Sequence, residues 1–212
     1  MKRIILFFIA LTAISANSMA QTEKGKVLLG GYLDFSTQKL NSEPKSRVNF
    51  GINPTAGFFI SNNLVIGAGL RYMHSSYPQS EINPLTNKSN DYVQKSNGIA
   101  LSPFGRYYIG ITPQLKFFGQ LQASAEWTKF KADVPENTVI DYSNMKSNFY
   151  SASLSPGLAI FPSKRIGIEL SLSGFSYSDQ KFKHKGEKFS ENRNFSLSSD
   201  FFNPRLGMQF YL

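Results

Sequence analysis

The sequence predicts an all-β fold, an eight-stranded antiparallel up-and-down transmembrane β-barrel with short periplasmic turns and long extracellular loops. Three observations lead to this fold class. Apolar residues alternate with small or polar residues in eight segments, short connections alternate with long polar ones, and aromatic residues gather near both ends of the segments. Alternation with period two indicates strands with two different faces, and outer-membrane barrels combine it with the other two features.

The chain begins with the features of an export signal. A basic start at Lys2–Arg3 precedes the apolar run Ile4–Ile14, and small residues in Ser18–Ala20 suit a cleavage site. The run is shorter than the roughly 20 apolar residues of a membrane-spanning helix, which makes a retained anchor helix the less favoured alternative. We therefore predict a signal peptide over residues 1–20 and a β-barrel domain over residues 21–212.

The composition excludes several kinds of chemistry. The 212 residues include no cysteine, which rules out zinc–thiolate sites, thiol catalysis and disulfides. The formal net charge is +9, but the lysines are spread over the predicted long loops with acidic residues among them. We therefore expect contact with anionic outer-membrane lipids and lipopolysaccharide, and no nucleic-acid partner. Plain solvation of the loops is the alternative.

Each of the eight segments has one apolar face that contains no charged residue. The segments are Val27–Phe35, Phe50–Ile60, Leu64–Tyr72, Ile99–Ile109, Leu115–Trp127, Tyr150–Ile160, Ile166–Leu172 and Phe202–Leu212. Most reach about 9–11 residues, the length with which a tilted strand crosses the hydrocarbon layer. Alternation alone does not decide whether the apolar face points outward to lipid or inward, so a soluble lipocalin-like ligand-binding barrel is an alternative.

The opposite faces carry all the charged residues of these segments. They are Asp34, Arg71, Arg106, Lys116, Glu126, Glu169 and Arg205. In a membrane barrel this face points inward, where charges have to pair because an unpaired buried charge is costly. We expect an interior charge network in which Arg205 neighbours Glu169 and Asp34, with the other charges at different levels. A gated polar path is the alternative role for the same residues.

The connections alternate strictly in length. The short turns are Ser61–Asn63, Gly110–Gln114 and Phe161–Arg165, and the long polar loops are Thr37–Arg47, Ser75–Asn97, Thr128–Asn148 and Ser178–Asn194. Outer-membrane barrels have short turns on the periplasmic side and long loops outside. This alternation favours a membrane barrel over a soluble one.

Aromatic residues mark both ends of the segments. Near the short turns lie Phe58, Tyr107, Phe161 and Phe210, and near the long loops lie Tyr72, Trp127, Tyr150 and Phe202. Amphipathic rings favour the two membrane interfaces, although aromatic residues are common in strands of every kind. We interpret the two groups as belts on the outer surface.

A proline repeat divides the chain into four hairpins. Pro54, Pro103, Pro156 and Pro204 each follow Asn or Ser and lie on the apolar face of an even-numbered segment. Proline lacks the N–H that strand pairing uses, and a β-bulge can accommodate the loss. We predict a bulge or a local break in pairing at each of the four prolines.

Three phrases carry a resemblance to a known family. They are FFISNNL at Phe58–Leu64, SPFGRYY at Ser102–Tyr108 and GMQFYL at Gly207–Leu212. Together with the export signal they resemble small outer-membrane β-barrel proteins of the OmpA/OmpX type, also called the porin family or the outer membrane protein β-barrel domain. The resemblance covers essentially the whole mature chain and implies the fold far more than any activity.

The resemblance also implies a route of assembly. The alternating residues Leu206, Met208, Phe210 and Leu212 are similar to the C-terminal signal that the outer-membrane assembly machinery recognises. The family usually ends in phenylalanine, whereas this chain ends in Leu212.

One arrangement could support catalysis. His74 and Ser76 form an H-x-S pair at the outer end of the third segment. A barrel-shaped lipid A deacylase uses a histidine, a serine and an acid at such a rim, where the histidine activates the serine hydroxyl. Glu126 or Glu81 would supply the acid in this chain.

Together, these features predict a non-enzymatic integral protein of the bacterial outer membrane. We expect a monomer without a cofactor, whose loops face outside to stabilise the surface or to bind a partner. The alternatives are the soluble lipocalin-like barrel, a lipid A hydrolase acting at the rim, and a narrow pore.

Overall fold

The computed structural model describes residues 21–39, 45–82, 89–132, 145–184, 186–197 and 205–212. It does not describe the side chains of Glu81, Ile82, Ser89, Asn90, Phe189 and Arg205. The predicted signal peptide lies outside the described residues. No helix in the described part of the chain is long and apolar enough to span a membrane.

The described elements are ten β-strands. They are β1 Val27–Gln38, β2 Arg47–Ser61, β3 Leu64–Ile82, β4 Ser89–Thr112, β5 Leu115–Ala132, β6 Lys146–Ile160, β7 Ile166–Ser171, β8 Phe175–His184, β9 Glu187–Leu197 and β10 Arg205–Tyr211. Each of β1 to β6 pairs antiparallel with the next strand, and β7 then pairs with β10 and β10 with β1. This closed ring confirms the all-β, antiparallel up-and-down architecture.

The strand boundaries differ from the predicted ones. The pairing ends at residues 172–174, where the predicted seventh segment ends, and β8 continues beside β6 above the interruption. The predicted loop Ser178–Asn194 lies largely in the hairpin of β8 and β9. β3 and β4 reach 19 and 24 residues, so most of the predicted loop Ser75–Asn97 is strand. The cause is that backbone pairing continues in a ribbon above the membrane, where no apolar face is required.

The alternation of faces is inverted relative to a soluble barrel. Leu29, Ile52 and Leu206 are 39%, 41% and 66% exposed on the outer surface. Their neighbours Leu28, Phe59 and other residues of opposite parity are buried in the lumen. A continuous apolar exterior needs lipid around it, which argues against the lipocalin-like alternative.

The aromatic belts are present with one correction. Phe58, Tyr107 and Phe210 are exposed near the short turns, as are Tyr72, Trp127 and Tyr150 near the other end. Phe161 is only 1% exposed and packs against Tyr211 inside the barrel, so its assignment to a belt was wrong. Phe161 follows the last residue of β6, where the chain turns inward beneath the lumen. Phe202 lies outside the described residues.

At the three prolines that the structure describes, the predicted break in pairing occurs towards one of the two neighbouring strands. The β2–β3 ladder has no pair between Ile52↔Tyr72 and Thr55↔Gly69, and the β4–β5 ladder has none between Leu101↔Ala125 and Phe104↔Gln122. The breaks lie at Pro54 and Pro103. Neither break shifts the register.

At Pro156 the break is accompanied by a bulge. β6 pairs with β8 up to Leu154 and with β7 from Gly157, and the register changes by one residue between them. On the other side, all three prolines have regular partners, among them Gly119 opposite Pro156. A strand residue points its N–H towards a single neighbour, so proline disturbs only that ladder. Pro204 lies outside the described residues.

Candidate functional site

The lumen is filled at the short-turn end by a buried cluster, which we call the lower plug. Its members are Leu28, Phe59, Val65, Phe104, Tyr108, Phe118, Ala159, Phe161 and Tyr211. Successive ring centroids lie 5.0–6.4 Å apart, with tilted or edge-on geometry, which is the preferred contact range of aromatic pairs. The lower plug therefore closes this end of the barrel with packed side chains.

A buried ion pair lies on the lower plug. Arg106 of β4 reaches across the lumen to Glu169 of β7, and its Nη1 donates to both carboxylate oxygens at 2.6 and 2.7 Å. The two side chains are 9% and 5% exposed. A buried pair of this kind needs further hydrogen bonds to offset the loss of hydration.

The surrounding residues supply those hydrogen bonds. The hydroxyls of Tyr108 and Tyr211 donate to Glu169 Oε1 at 3.2 and 2.7 Å, and Arg106 Nε donates to Gln120 Oε1 at 2.8 Å. The guanidinium carbon lies 4.5 Å from the Phe118 ring centroid, a cation–π contact that is favourable in a desolvated site. Both charges are thereby satisfied within the lumen.

A polar ladder rises from this pair along β5. Gln120 Nε2 donates to Gln122 Oε1 at 2.7 Å, and Gln122 Nε2 donates to Ser124 Oγ at 3.1 Å. Ser124 Oγ lies 2.7 Å from Ser102 Oγ on the adjacent strand β4. Along this stretch of β5, the inward face is thus made of neutral hydrogen-bonding groups.

A cavity of about 690 Å³ occupies the lumen above the lower plug. Its lining includes Arg106 and Glu169 at the floor and Asn53, Gln122 and Ser153 on the walls. The lower plug separates the cavity from the short-turn end. The described arrangement therefore provides a polar vestibule with a closed floor.

Two residues that precede β1 seal the barrel from beneath. Gln21 and Thr22 are buried, and Lys116 Nζ donates to Thr22 Oγ1 at 2.5 Å and to Asn63 Oδ1 at 3.2 Å. Asn63 holds this position with a left-handed backbone, φ 64°, a conformation that asparagine tolerates better than most residues. Lys116, which we predicted in the interior charge network, instead binds neutral groups at the lower mouth.

The pairing predicted between Arg205 and the carboxylates of Glu169 and Asp34 stays a prediction, although the structure shows that both carboxylates have other partners. Glu169 is held by Arg106, and Asp34 binds Arg71 at 3.3 Å. The Arg205 side chain lies outside the described residues. The contact between Arg106 and Glu169 was not predicted, because it joins opposite walls of the narrow lumen rather than neighbouring strands.

The other predicted interior charges differ in environment. Asp34 and Arg71 have side chains 51% and 36% exposed, so their pair belongs to the wet upper region. Glu126 accepts a hydrogen bond from Thr128 Oγ1 at 3.1 Å within its own strand. The predicted charges whose side chains are described therefore form separate contacts.

The candidate catalytic residues are not assembled. His74 and Ser76 share the outer face of β3, and His74 Nδ1 lies 2.8 Å from Asn97 Oδ1. Glu126 has the parity of the buried residue Thr128 and faces inward, and the Glu81 side chain lies outside the described residues. Among the described contacts, no acid or serine is placed to form a relay with His74.

The hairpin of β8 and β9 carries a compensated charge cluster. Lys181 Nζ lies 3.7 Å from Asp179 and 3.6 Å from Glu191, and Arg193 contacts both carboxylates. A hydrogen bond from Lys188, with the positive charges of Lys188 and Arg193, lowers the pKa of Glu191 to about 2. The basic side chains are exposed and the two carboxylates are partly exposed, so the cluster organises the hairpin surface without fully burying charge.

Sequence reasoning missed the lower plug, although a signal was present. Aromatic doublets occur near the short-turn ends at Phe58–Phe59, Tyr107–Tyr108, Phe117–Phe118 and Phe210–Tyr211. Because successive strand residues point to opposite faces, one ring of each doublet faces lipid and the other faces the lumen. The second ring of each doublet belongs to the lower plug.

Comparison with solved structures finds small barrels of similar architecture at low identity. Neisserial surface protein A has 12% identity and a TM-score of 0.40, with 87% of this chain and 94% of that chain covered. OprG from Pseudomonas aeruginosa has 10% identity and a TM-score of 0.49, covering 92% and 99%. Outer Membrane Protein W of E. coli has 11% identity and a TM-score of 0.39, covering 89% and 97%.

The family match is more extensive. The sequence matches no curated protein. Residues 6–210 match the family described as outer membrane protein beta-barrel domain, which is nearly the whole chain. With its closed ring, apolar exterior and filled lumen, the chain belongs to this family and is an integral β-barrel protein of the bacterial outer membrane.

Proposed function

We propose that this protein is a non-enzymatic, monomeric barrel that stabilises the outer membrane and presents its outer strand ends and loops at the cell surface. The observation that carries the proposal is the closed lumen, in which Arg106 and Glu169 are mutually neutralised on a packed aromatic floor. A group with all its hydrogen bonds made is suited to holding a structure together. It has no proton or free charge available for a substrate.

Planar-bilayer conductance tests the closed lumen. We expect little or no stepwise current from the wild-type protein, because the lower plug separates the vestibule from the periplasmic side. Reproducible ion channels in the intact protein would contradict the proposal and favour the narrow pore. Heat-modifiable gel mobility provides the control that the reconstituted barrel is folded.

Lipid A analysis tests the absence of an enzymatic role. The variants His74→Ala and Ser76→Ala should leave the lipid A profile of expressing cells unchanged in mass spectrometry. A species that the wild-type protein produces and either variant loses would establish hydrolysis at the rim.

Assembly is proposed to depend on the outward residues of the last strand. Leu206, Met208, Phe210 and Leu212 are all exposed on the lipid-facing side, where assembly machinery could bind them before the ring closes. We expect Phe210→Ser to lower the amount of folded barrel in the outer membrane more than Phe58→Ser does. The two variants remove the same side chain from the same belt, so equal effects would argue against a C-terminal signal.

A further inference from the structure

Five lysines form a contiguous group on the outer wall of the barrel, which we call the lysine row. They are Lys95 on β4, Lys129 and Lys131 on β5, Lys146 on β6 and Lys183 on β8. The register places Lys95 opposite Lys131, Lys129 opposite Lys146, and Lys146 opposite Lys183. The group therefore crosses four adjacent strands without a gap.

The lysine row points outward from a well-supported wall. All five side chains are exposed, whereas the alternating residues Ser96, Thr128 and Ser147 are buried on the inner side. Behind the wall, the rings of Phe130 and Phe182 are 6.4 Å apart. The strands that carry the lysines are thus held at fixed spacing, and the ammonium groups form a preset array.

This arrangement lacks compensation within the described part of the protein. Residues directly opposite in an antiparallel pair have Cβ atoms about 5 Å apart, and like charges there are destabilising. None of the five lysines has a carboxylate among the described ion pairs, whereas nearby Lys181 has two. The repulsion between the lysines of three cross-strand pairs in one patch would be offset by a bound anion from outside the described protein.

The height of the lysine row identifies where that anion resides. Lys129 lies two residues beyond Trp127 on the same face of β5, and Trp127 belongs to the outer aromatic belt. At about 3.3 Å per residue, the row is roughly 7 Å above the indole. Aromatic belts mark the head-group level, so the ammonium groups lie among the phosphates of the surrounding lipid.

We propose that the lysine row is a binding site for the phosphate groups of outer-leaflet lipid, of the kind found on lipid A. This inference rests on the proposed surface role and deepens it by naming the site and the ligand chemistry. The site occupies one side of the barrel, on β4, β5, β6 and β8, so the bound lipid is expected to be a localised neighbour rather than a uniform shell.

The single tryptophan offers a direct measurement, because Trp127 lies beside the lysine row and is the only tryptophan in the chain. The protein is reconstituted in phosphatidylcholine vesicles that contain the same low mole fraction of either brominated phosphatidic acid or brominated phosphatidylcholine. We expect at least threefold stronger quenching of Trp127 by the phosphatidic acid. Equal quenching by the two lipids would overturn the proposal.

Paired variants locate the site. Lys129→Gln combined with Lys146→Gln should reduce quenching by phosphatidic acid to the phosphatidylcholine level. Lys164→Gln, at an exposed position in a short turn at the other end of the barrel, should leave it unchanged. A preference that survives in the double variant would overturn the assignment, while the closed lumen and its lack of conductance would stand independently.

Competition distinguishes the source of the phosphate. Diphosphoryl lipid A added to the vesicles should displace the brominated phosphatidic acid and restore Trp127 emission, whereas dephosphorylated lipid A should not. Inorganic phosphate at millimolar concentration should also fail to displace it. Displacement by inorganic phosphate alone, without an effect of lipid A, would show a free-anion site and contradict the lipid assignment.

Discussion

The two ends of this barrel share one exterior but have different interiors. At the lower plug, aromatic rings and the charged side chains on them pack so closely that residues such as Phe59, Val65 and Tyr211 have no exposed surface. Above it, the lumen holds serines and glutamines around a vestibule of about 690 Å³, and the Asp34–Arg71 pair is half exposed. Lipid requires the same apolar exterior at both levels, so only the inward residues are free to specify closure at one end and solvation at the other.

The largest expected effect is a difference between the two ion pairs in the free energy of unfolding that is lost when one partner is removed. Glu169→Ala leaves Arg106 buried without its partner and should lower the free energy of unfolding by about 3–5 kcal/mol. Asp34→Ala removes the matching partner from an exposed pair and should cost about 0–1 kcal/mol. Urea unfolding in phosphatidylcholine vesicles measures both, and equal losses would erase the contrast between the two ends. Replacing Arg106 and Glu169 together by methionine should recover most of the loss.

A smaller effect compares the inner and outer faces of one strand. Phe118 packs over Gly157, where any Cβ would lie 2.2 Å from the ring, so the fit is close. Phe118→Ala should cost about 3 kcal/mol, because the surrounding lower plug cannot collapse into the space. Phe117→Ala, one residue earlier and facing lipid, should cost less because acyl chains fill the gap. A larger loss for Phe117 in the same urea measurement would contradict the packing account.

The next effect concerns the seal beneath the lower plug. Lys116→Met keeps the apolar stem but removes the hydrogen bonds to Thr22 and Asn63, and it should cost about 1–2 kcal/mol. Amide hydrogen exchange should accelerate at Gly25 and Asn63, whose N–H groups bond to Phe59 and Thr22. The control Lys24→Met changes an exposed lysine of the same segment and should leave both amides protected.

The smallest effect lies on the outer hairpin. Because the pKa of Glu191 is lowered from 4.5 to about 2, its contribution to the hairpin is complete above pH 4.5 and is lost as the pH falls towards 2. Titration by the carboxyl ¹³C shift should give a midpoint near 2, and Lys188→Gln should raise it. A midpoint that stays near 2 in this variant would exclude Lys188 as the main cause.

The sequence by itself determined the class of fold and the exterior. Strict alternation around residues such as Leu29, Ile52 and Leu206 is a local pattern, and its combination with alternating short and long connections favours a barrel that exposes its charge-free faces to lipid. The breaks in pairing at the prolines were also predictable from the sequence, because proline lacks the N–H with which a strand residue pairs to one neighbouring strand.

Only the tertiary structure decided which interior groups meet. Arg106 and Glu169 lie on strands that are not neighbours, and their contact depends on the stagger of the whole ring and on the narrowness of the lumen. The lysine row depends in the same way on the register of four strands, since Lys95, Lys146 and Lys183 are far apart in the chain. Contacts across the lumen and between strands depend on closure of the ring, whereas the alternation of faces is already present in each strand alone.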